Sequence, residues 1–321
     1  MIKTLIFLFS TLLLEIILFN GYIKILKRKQ VTQSIRELGP KEHFKKTGTP
    51  TAGGCLIVVF QIINYIGIKF INNKKANWLD FLFILSVLLF SLVGLLDDLK
   101  IIKIKNNRGL TPKIKLLLEI IFSLIISIMI LGLFQNKTLN FFGININLKY
   151  LIILFNSFYI IAWSNSYNIT DGLDGLASGL SFVLLVGIFI IGKQTKNELL
   201  VIGSLSIFFA LVGFLIFNFH PAMVFMGNIG SHGLGASIAV LGILSNNEII
   251  FAVMGFVFIF ETISVILQVW YFKKTRGQRL FKMAPFHHHL ELSGYDEVNI
   301  NYFLIGIEVI FVIVGLLLWR I

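Results

Sequence analysis

Eleven residues in the middle of this chain, Asn165-Ser166-Tyr167-Asn168-Ile169-Thr170-Asp171-Gly172-Leu173-Asp174-Gly175, hold two carboxylates and two amides at one three-residue spacing. Positions three apart share a side of a helix, so Asn165, Asn168, Asp171 and Asp174 can face a common site. An Asp ahead of a helix also serves as an N-cap, which would account for one of the two acids but not for both together with the amides. A second acidic signal is Asp97-Asp98, directly after an apolar run. Adjacent carboxylates at an apolar boundary repel each other and lose hydration, so they call for a cation or basic neighbours. A hard, oxygen-seeking ion such as Mg²⁺ suits them, particularly if a substrate phosphate supplies further ligands. Lys100, Lys103, Lys105, Arg108, Lys113 and Lys115 follow, and most read as a solvated, charge-mixed loop. The third signal is Pro285-Phe286-His287-His288-His289-Leu290-Glu291. Three consecutive helical side chains diverge by about 100° each and cannot all reach one ion. The expected role for His287, His288 and His289 is hydrogen bonding to a phosphate or sugar, with Glu291 orienting one ring.

These residues must be positioned by elements that tolerate lipid. Hydrophobic residues make up 56% of the 321 and charged residues only 14%, too apolar a balance for a water-facing globule. The single cysteine, Cys55, excludes an internal disulfide framework. The net charge of +12 sits in loops between apolar runs, which favours anionic headgroups and phosphorylated substrates over nucleic acid. Apolar runs at 4–23, 52–68, 81–96, 116–135, 150–163, 175–192, 199–217, 233–245, 249–272 and 301–319 predict an all-α polytopic integral membrane protein of about ten transmembrane helices. The runs at 150–163 and 233–245 are short for a bilayer and must borrow flanking polar residues. No polar segment is long enough for a separate soluble domain, so residues 1–321 read as one transmembrane domain. Loops 24–52, 97–115 and 272–299 hold 8, 6 and 5 of the 28 basic residues. The positive-inside rule makes them cytoplasmic, puts both termini outside, and brings loops 164–174 and 218–232 to the same cytoplasmic side. Every loop rich in carboxylate, amide or histidine then faces one compartment.

The remaining features are weaker alone. Lys46 precedes Gly48-Thr49-Pro50-Thr51-Ala52-Gly53-Gly54, whose irregular backbone offers N–H groups for phosphate or is an ordinary turn into the second helix. Residues 218–233 add Asn218, Asn228 and Ser231 as neutral oxygens without a carboxylate. Glu15, Glu119 and Glu308 lie within apolar runs, and Glu261 and Gln268 share the ninth. Acids buried at membrane depth are functional suspects, though those near helix ends can reach the interface.

Taken together the chain resembles the phospho-N-acetylmuramoyl-pentapeptide transferases, a branch of the polyprenyl-phosphate sugar-1-phosphate transferases. The matching stretches are Gly48–Gly54, Gly94–Asp98, Gly109–Leu117, Asn165–Gly179, Gly213–Gly230, Glu261–Val269 and Lys282–Glu291, in family order. The resemblance implies a bacterial inner-membrane, multi-pass homodimer that uses Mg²⁺ at a cytoplasm-facing site and takes part in peptidoglycan synthesis. It would transfer phospho-MurNAc-pentapeptide from UDP-MurNAc-pentapeptide to undecaprenyl phosphate and release UMP. The family's catalytic positions fall on Asp97, Asp98, Asp171 and His287. Substrate contacts fall on Lys46, Lys113, Asn165, Asn168, Asp174, Asn218, His288 and His289. The metal positions fall on Asp171, Asn228 and Asp97. Asn228 stands where the family has an Asp, Ile101 where it has a Lys, and His232 is off-pattern. An amide keeps an oxygen but loses the charge, so weaker metal binding is expected. The alternatives are a GlcNAc-1-phosphate transferase of the same family, or a catalytically weakened homologue that binds lipid phosphate.

Overall fold

The computed structural model describes residues 2–32, 46, 48–104, 109–134 and 138–320. Lys45, Thr47, Lys105, Arg108 and the side chain of Lys103, all from the two basic loops, lie outside the described residues. In chain order the elements are α1 (Ile2–Arg28), α2 (Gly54–Ile71), α3 (Trp78–Ile104), α4 (Pro112–Leu133), β1 (Leu139–Phe141), β2 (Ile144–Ile146) and α5 (Leu151–Thr170). They continue with α6 (Leu176–Gln194), α7 (Glu198–Asn218), α8 (Gly227–Ser245), α9 (Glu248–Met254), α10 (Phe256–Lys274), α11 (Phe286–Glu291) and α12 (Glu297–Trp319).

Among the described residues nine helices are long and apolar enough to cross a membrane. A helix satisfies all its own backbone groups, which lipid demands. α5 is 20 residues long but is not one of the nine, because its last turns are Asn165, Ser166 and Asn168. The two short apolar runs do borrow polar residues: 150–163 becomes α5 through Thr170, and 233–245 becomes α8 from Gly227. Two features depart from the pattern. β1 and β2 form a small antiparallel hairpin with Leu139 opposite Ile146, so the fold is not purely α. The run 249–272 is also two helices, α9 and α10, parted at Gly255. A Cβ on Gly255 would overlap the Trp163 indole, and Glu308 of α12 accepts the free Val257 N–H just past the break (3.0 Å).

α8 is the central post. It packs on α3, α5 and α2 and is rich in small residues, including Gly230, Ser231, Gly233, Gly235, Ala236, Ser237 and Ala239. Small residues let helix backbones approach closely where lipid supplies no hydrophobic drive between helices. A Cβ on Gly94 of α3 would overlap the Asn228 carbonyl, and one on Gly54 would overlap the backbone of Gly230. Both contacts seat the N-terminus of α8 deep between its neighbours.

Both chain termini lie at one end of the bundle. Thr4 at the start of α1 bonds Asn72 (Asn72 Nδ2 to Thr4 Oγ1, 3.0 Å), beside an ion cluster in which Lys69 reaches Asp80 (2.8 Å) and Glu198 (2.9 Å). The segments bearing Lys46, Asp97, Asp171, Asn228, His287 and Glu297 converge at the opposite end.

Candidate active site

Asp97 and Asp98 lie in α3 ahead of its last residues, 99–104, and are both buried, 7% and 5% exposed. Asp98 turns to α8: its Oδ1 accepts the Asn228 N–H (3.2 Å) and its Oδ2 the Ile229 N–H (3.1 Å). The first N–H groups of a helix have no partner within it and carry partial positive charge, so Asp98 acts as a cap supplied from a neighbouring helix. Gly227 stands one residue before, at φ +76 and against the Asp98 carboxylate. That left-handed backbone and close approach suit glycine. Asp97 turns the other way. Its Oδ1 accepts the Leu110 N–H (2.5 Å), and its Oδ2 faces Asn228 Nδ2 (3.0 Å) and Lys115 Nζ (3.4 Å).

Asn228 thus ties the pair together. Its backbone N–H serves Asp98, its amide Nδ2 serves Asp97, and its Oδ1 accepts from Asn168 Nδ2 (2.7 Å). Asn168 Nδ2 also reaches Ser231 Oγ (2.8 Å). One turn back along α5, Asn165 Nδ2 donates to Glu119 Oε2 of α4 (2.9 Å) and to the Ile161 carbonyl (2.9 Å). The regular three-residue spacing therefore distributes the polar groups along α5 and its exit, each to a different partner, instead of pointing all four at one spot.

Asp171 ends α5 and Gly175 starts α6 without a side-chain cap, so neither Asp171 nor Asp174 serves as the N-cap of α6. Asp171 is half-buried and receives no hydrogen bond from any described residue. Loss of hydration, then the charges of Asp174 and Asp98, push its carboxyl up to about 7. Asp174 is fully engaged. Lys46 Nζ pairs with its Oδ1 (2.8 Å), while His220 Nδ1 (3.1 Å) and the Ala222 N–H (3.0 Å) meet its Oδ2. Glu297, at the first turn of α12, shares the same partners: Lys46 Nζ at 2.7 Å and His220 Nδ1 at 3.2 Å, and it also accepts the Asp174 N–H. Asp174, His220 and Glu297 present ligand-type atoms within 4.8 Å of one another, with the Lys46 ammonium as the resident cation.

The histidines separate as helix geometry requires. His287 is fully buried, with Glu261 Oε2 at 3.2 Å from its Nδ1 and its Nε2 against Gly172, beside Asp171. His288 Nδ1 meets Glu291 Oε2 at 2.6 Å, the orienting role expected of that acid. His289 accepts the Lys282 N–H (3.1 Å) and packs against Phe281 and Phe286.

Other expected residues sit differently. Lys113 is exposed and makes no ion pair among the described residues, while Lys115 reaches Asp97. Asn218 uses both ends of its amide on the backbone, accepting the Gly175 N–H (3.0 Å) and donating to the Val224 carbonyl (3.0 Å), so it sets the shape of the loop beside Asp174. The N–H groups of Gly53 and Gly54 are spent on the carbonyls of Phe225 (2.9 Å) and Met226 (2.8 Å) and are not open to a phosphate. Sequence reading passed over Glu297 and His220. An acid in a first helical turn reads as ordinary dipole compensation, and a single loop histidine carries no pattern.

This arrangement can hold an anionic group over several carboxylates with Lys46 and Lys115 as counter-charges, and it has a buried imidazole at its edge. The profile of glycosyl transferase family 4 matches residues 81–246, which hold Asp97, Asp98, Asp171 and Asn228. The chain is 43% identical over 291 residues to a phospho-N-acetylmuramoyl-pentapeptide-transferase of Staphylococcus carnosus, covering 89% of each. It is 38% identical over 299 residues to the protein of that name from Listeria monocytogenes, covering 92% of this chain and 91% of the relative. With the one from Staphylococcus epidermidis it shares 40% over 292 residues, 89% and 90% of the two chains.

Proposed function

This chain belongs to the phospho-N-acetylmuramoyl-pentapeptide-transferase family within glycosyl transferase family 4, and on that footing we propose how its residues carry out the first lipid-linked step of peptidoglycan synthesis. The enzyme is a phospho-sugar transferase. Its substrates are UDP-MurNAc-pentapeptide and undecaprenyl phosphate, and UMP leaves as phospho-MurNAc-pentapeptide passes to the lipid. The observation that carries the assignment of roles is the convergence, at one end of the bundle, of Asp97, Asp98 and Asp171 from separate segments beside Lys46, Lys115 and His287.

An attack of one phosphate on a diphosphate gathers negative charge, so neutralisation and alignment are the main tasks. The acceptor phosphate, with a second pKa of ~6, is largely a dianion at neutral pH and needs little help from a base. Asp98 has both oxygens on α8 N–H groups. That geometry favours a residue that fixes the site over a nucleophile, and it supports direct attack of lipid phosphate on the donor. Lys46 stands ready to turn from Asp174 and Glu297 toward the donor diphosphate. His287, oriented by Glu261, offers Nε2 beside Asp171 to a phosphate oxygen. Asn165 and Asn168, with their amide hydrogens engaged, offer carbonyl oxygens to donor hydroxyl or N–H groups.

The donor set also fits Mg²⁺. It is oxygen-only, and the Asp171 carboxyl is poorly neutralised, as its upward shift records. Asp171 and Asp97 would hold the ion, which supplies charge neutralisation on the diphosphate when bound. Asn228, whose Nδ2 donates to Asp97 and whose Oδ1 accepts from Asn168, holds those two residues in place and would add its Oδ1 as a neutral ligand. The same reading takes ten passes, counting α5 and the broken α9–α10, and places both termini outside the cell, the site in the cytoplasm, and two copies in a homodimer.

The test is UMP release by the purified full chain in detergent, with both substrates and Mg²⁺. Wild type releases UMP and Asp98→Asn loses it. A wild-type rate unaffected by Asp98→Asn overturns the role given to that residue. Preference for UDP-GlcNAc over UDP-MurNAc-pentapeptide in direct competition overturns the donor.

A further inference from the structure

One helical turn below the candidate site lies a second polar layer built by the same three helices, buried at Glu119 and His232 and partly open at Asn165. The upper layer holds Lys115 of α4 and Asn228 of α8, both reaching Asp97, and Asn168 of α5, which bonds to Asn228. The lower one holds Glu119, Asn165 and His232, displaced by four, three and four positions, which is one turn of each helix. Glu119 is 1% exposed and His232 fully buried. Glu119 Oε2 accepts from Asn165 Nδ2 (2.9 Å), and Glu119 Oε1 lies 3.6 Å from His232 Nδ1, which also meets Ser164 Oγ at 2.6 Å. His232 Nε2 is buried without a partner. So costly a group at this depth in an apolar helix calls for a reason beyond packing.

We infer that Glu119 is a positioning residue that fixes which end of the Asn165 amide the donor substrate meets. A carboxylate accepts and does not donate, so it selects the NH₂ end of Asn165. The other amide hydrogen goes to the Ile161 carbonyl, and the carbonyl oxygen is what Asn165 has left to offer. The second carboxylate oxygen has no hydrogen-bond partner among the described residues and lies 3.6 Å from His232 Nδ1, whose short contact is with Ser164 Oγ, so the bond to Asn165 is the one that Glu119 makes here. This rests on the reading that Asn165 contacts the donor.

Steady-state kinetics of the full chain in detergent, varying each substrate, test it. Asn165→Ala raises donor KM about tenfold, the effect of one lost hydrogen bond, and leaves acceptor KM unchanged. Glu119→Met, which keeps the volume but removes the acceptor, does the same, and Glu119→Gln, which retains an oxygen, stays within about threefold of wild type. The double variant E119M/N165A is no worse than N165A, because Glu119 acts through Asn165. If N165A shifts donor KM while E119M does not, or if the two effects multiply, the positioning role is refuted and the donor contact stands. If N165A leaves donor KM unchanged, the contact itself is refuted and the inference with it. Should E119M fail to fold, Glu119→Ala takes its place: donor KM rises about tenfold as Asn165 loses its carboxylate partner, and an unchanged value overturns the proposal.

Discussion

Among the acids assigned to the site, Asp171 is poorly served by its surroundings, receiving no hydrogen bond from any described residue, and its protonation makes this measurable. It titrates near 7 when folded and near 4 when unfolded, so between those values the folded chain holds a proton that the unfolded chain has lost. Its stabilising contribution is complete below about 4 and disappears as pH rises through about 7. In metal-free detergent solution Asp171→Asn therefore stabilises the protein by about 1 kcal/mol at pH 8, a figure reduced for its partial exposure, and changes little at pH 4. Thermal unfolding at the two pH values checks this; equal shifts at both would refute it. Asn228 gives the complementary case. Its amide donates to Asp97 at 3.0 Å, and a carboxylate there would lose that bond and face two acids. Asn228→Asp is expected to lower stability by about 1–3 kcal/mol in chelator and to regain it with Mg²⁺. Melting curves with and without the ion decide, and a variant as stable as wild type in chelator contradicts the bridging role. The Asn at this position was readable in the sequence as a lost charge. Its gain, a donor between two acids, was not, because it depends on α3 and α8 meeting at Gly94.

At the scale of elements, the apolar runs begun at 116 and 301 missed helix starts that local capping chemistry marks, and other ends depend on distant partners. Thr111 followed by Pro112 opens α4, and Asp296 caps α12 through the Asn299 N–H at 3.0 Å. The break at Gly255 has no such signal: its causes are the Trp163 ring from α5 and the Glu308 carboxyl from α12. Glu261 and His287 stand 26 positions apart, so their pairing was equally invisible. It is testable through α10. Glu261→Gln keeps an acceptor for the His287 N–H but removes the charge beside its ring, and turnover should fall about 10²-fold with donor KM little changed. A turnover within twofold of wild type would remove His287 orientation from the account. Gly94→Val presses on the Asn228 carbonyl and should cost about 1–3 kcal/mol, together with most activity, by lifting the start of α8 from Asp98. Unfolding and UMP release measured on one preparation check both halves.

For the molecule as a whole, the described residues Lys46 and Lys115 lie with the carboxylate-bearing segments at one end of the bundle, and the start of α1 and the end of α12 lie at the other. Cysteine tags appended to either terminus are expected to react with an impermeant thiol reagent from outside the cell, and a tag within 105–108 only after permeabilisation. Labelling of both ends solely after permeabilisation would invert the topology. Composition gave the membrane class because it follows from local residue content; the hairpin and the order of packing arise from contacts that no single stretch contains. One feature of that packing reaches back to how the protein is made. In α8 89% of the most apolar stretch is buried, against 22% for α10 and α12, and α8 is the least apolar of the nine spans. Lipid never touches most of it. A helix with that many glycines and serines partitions poorly from the insertion machinery by itself. Its entry into the bilayer is therefore expected to depend on α3 and α5 being present as a receiving wall, which makes this central post the span most reliant on helices already synthesised.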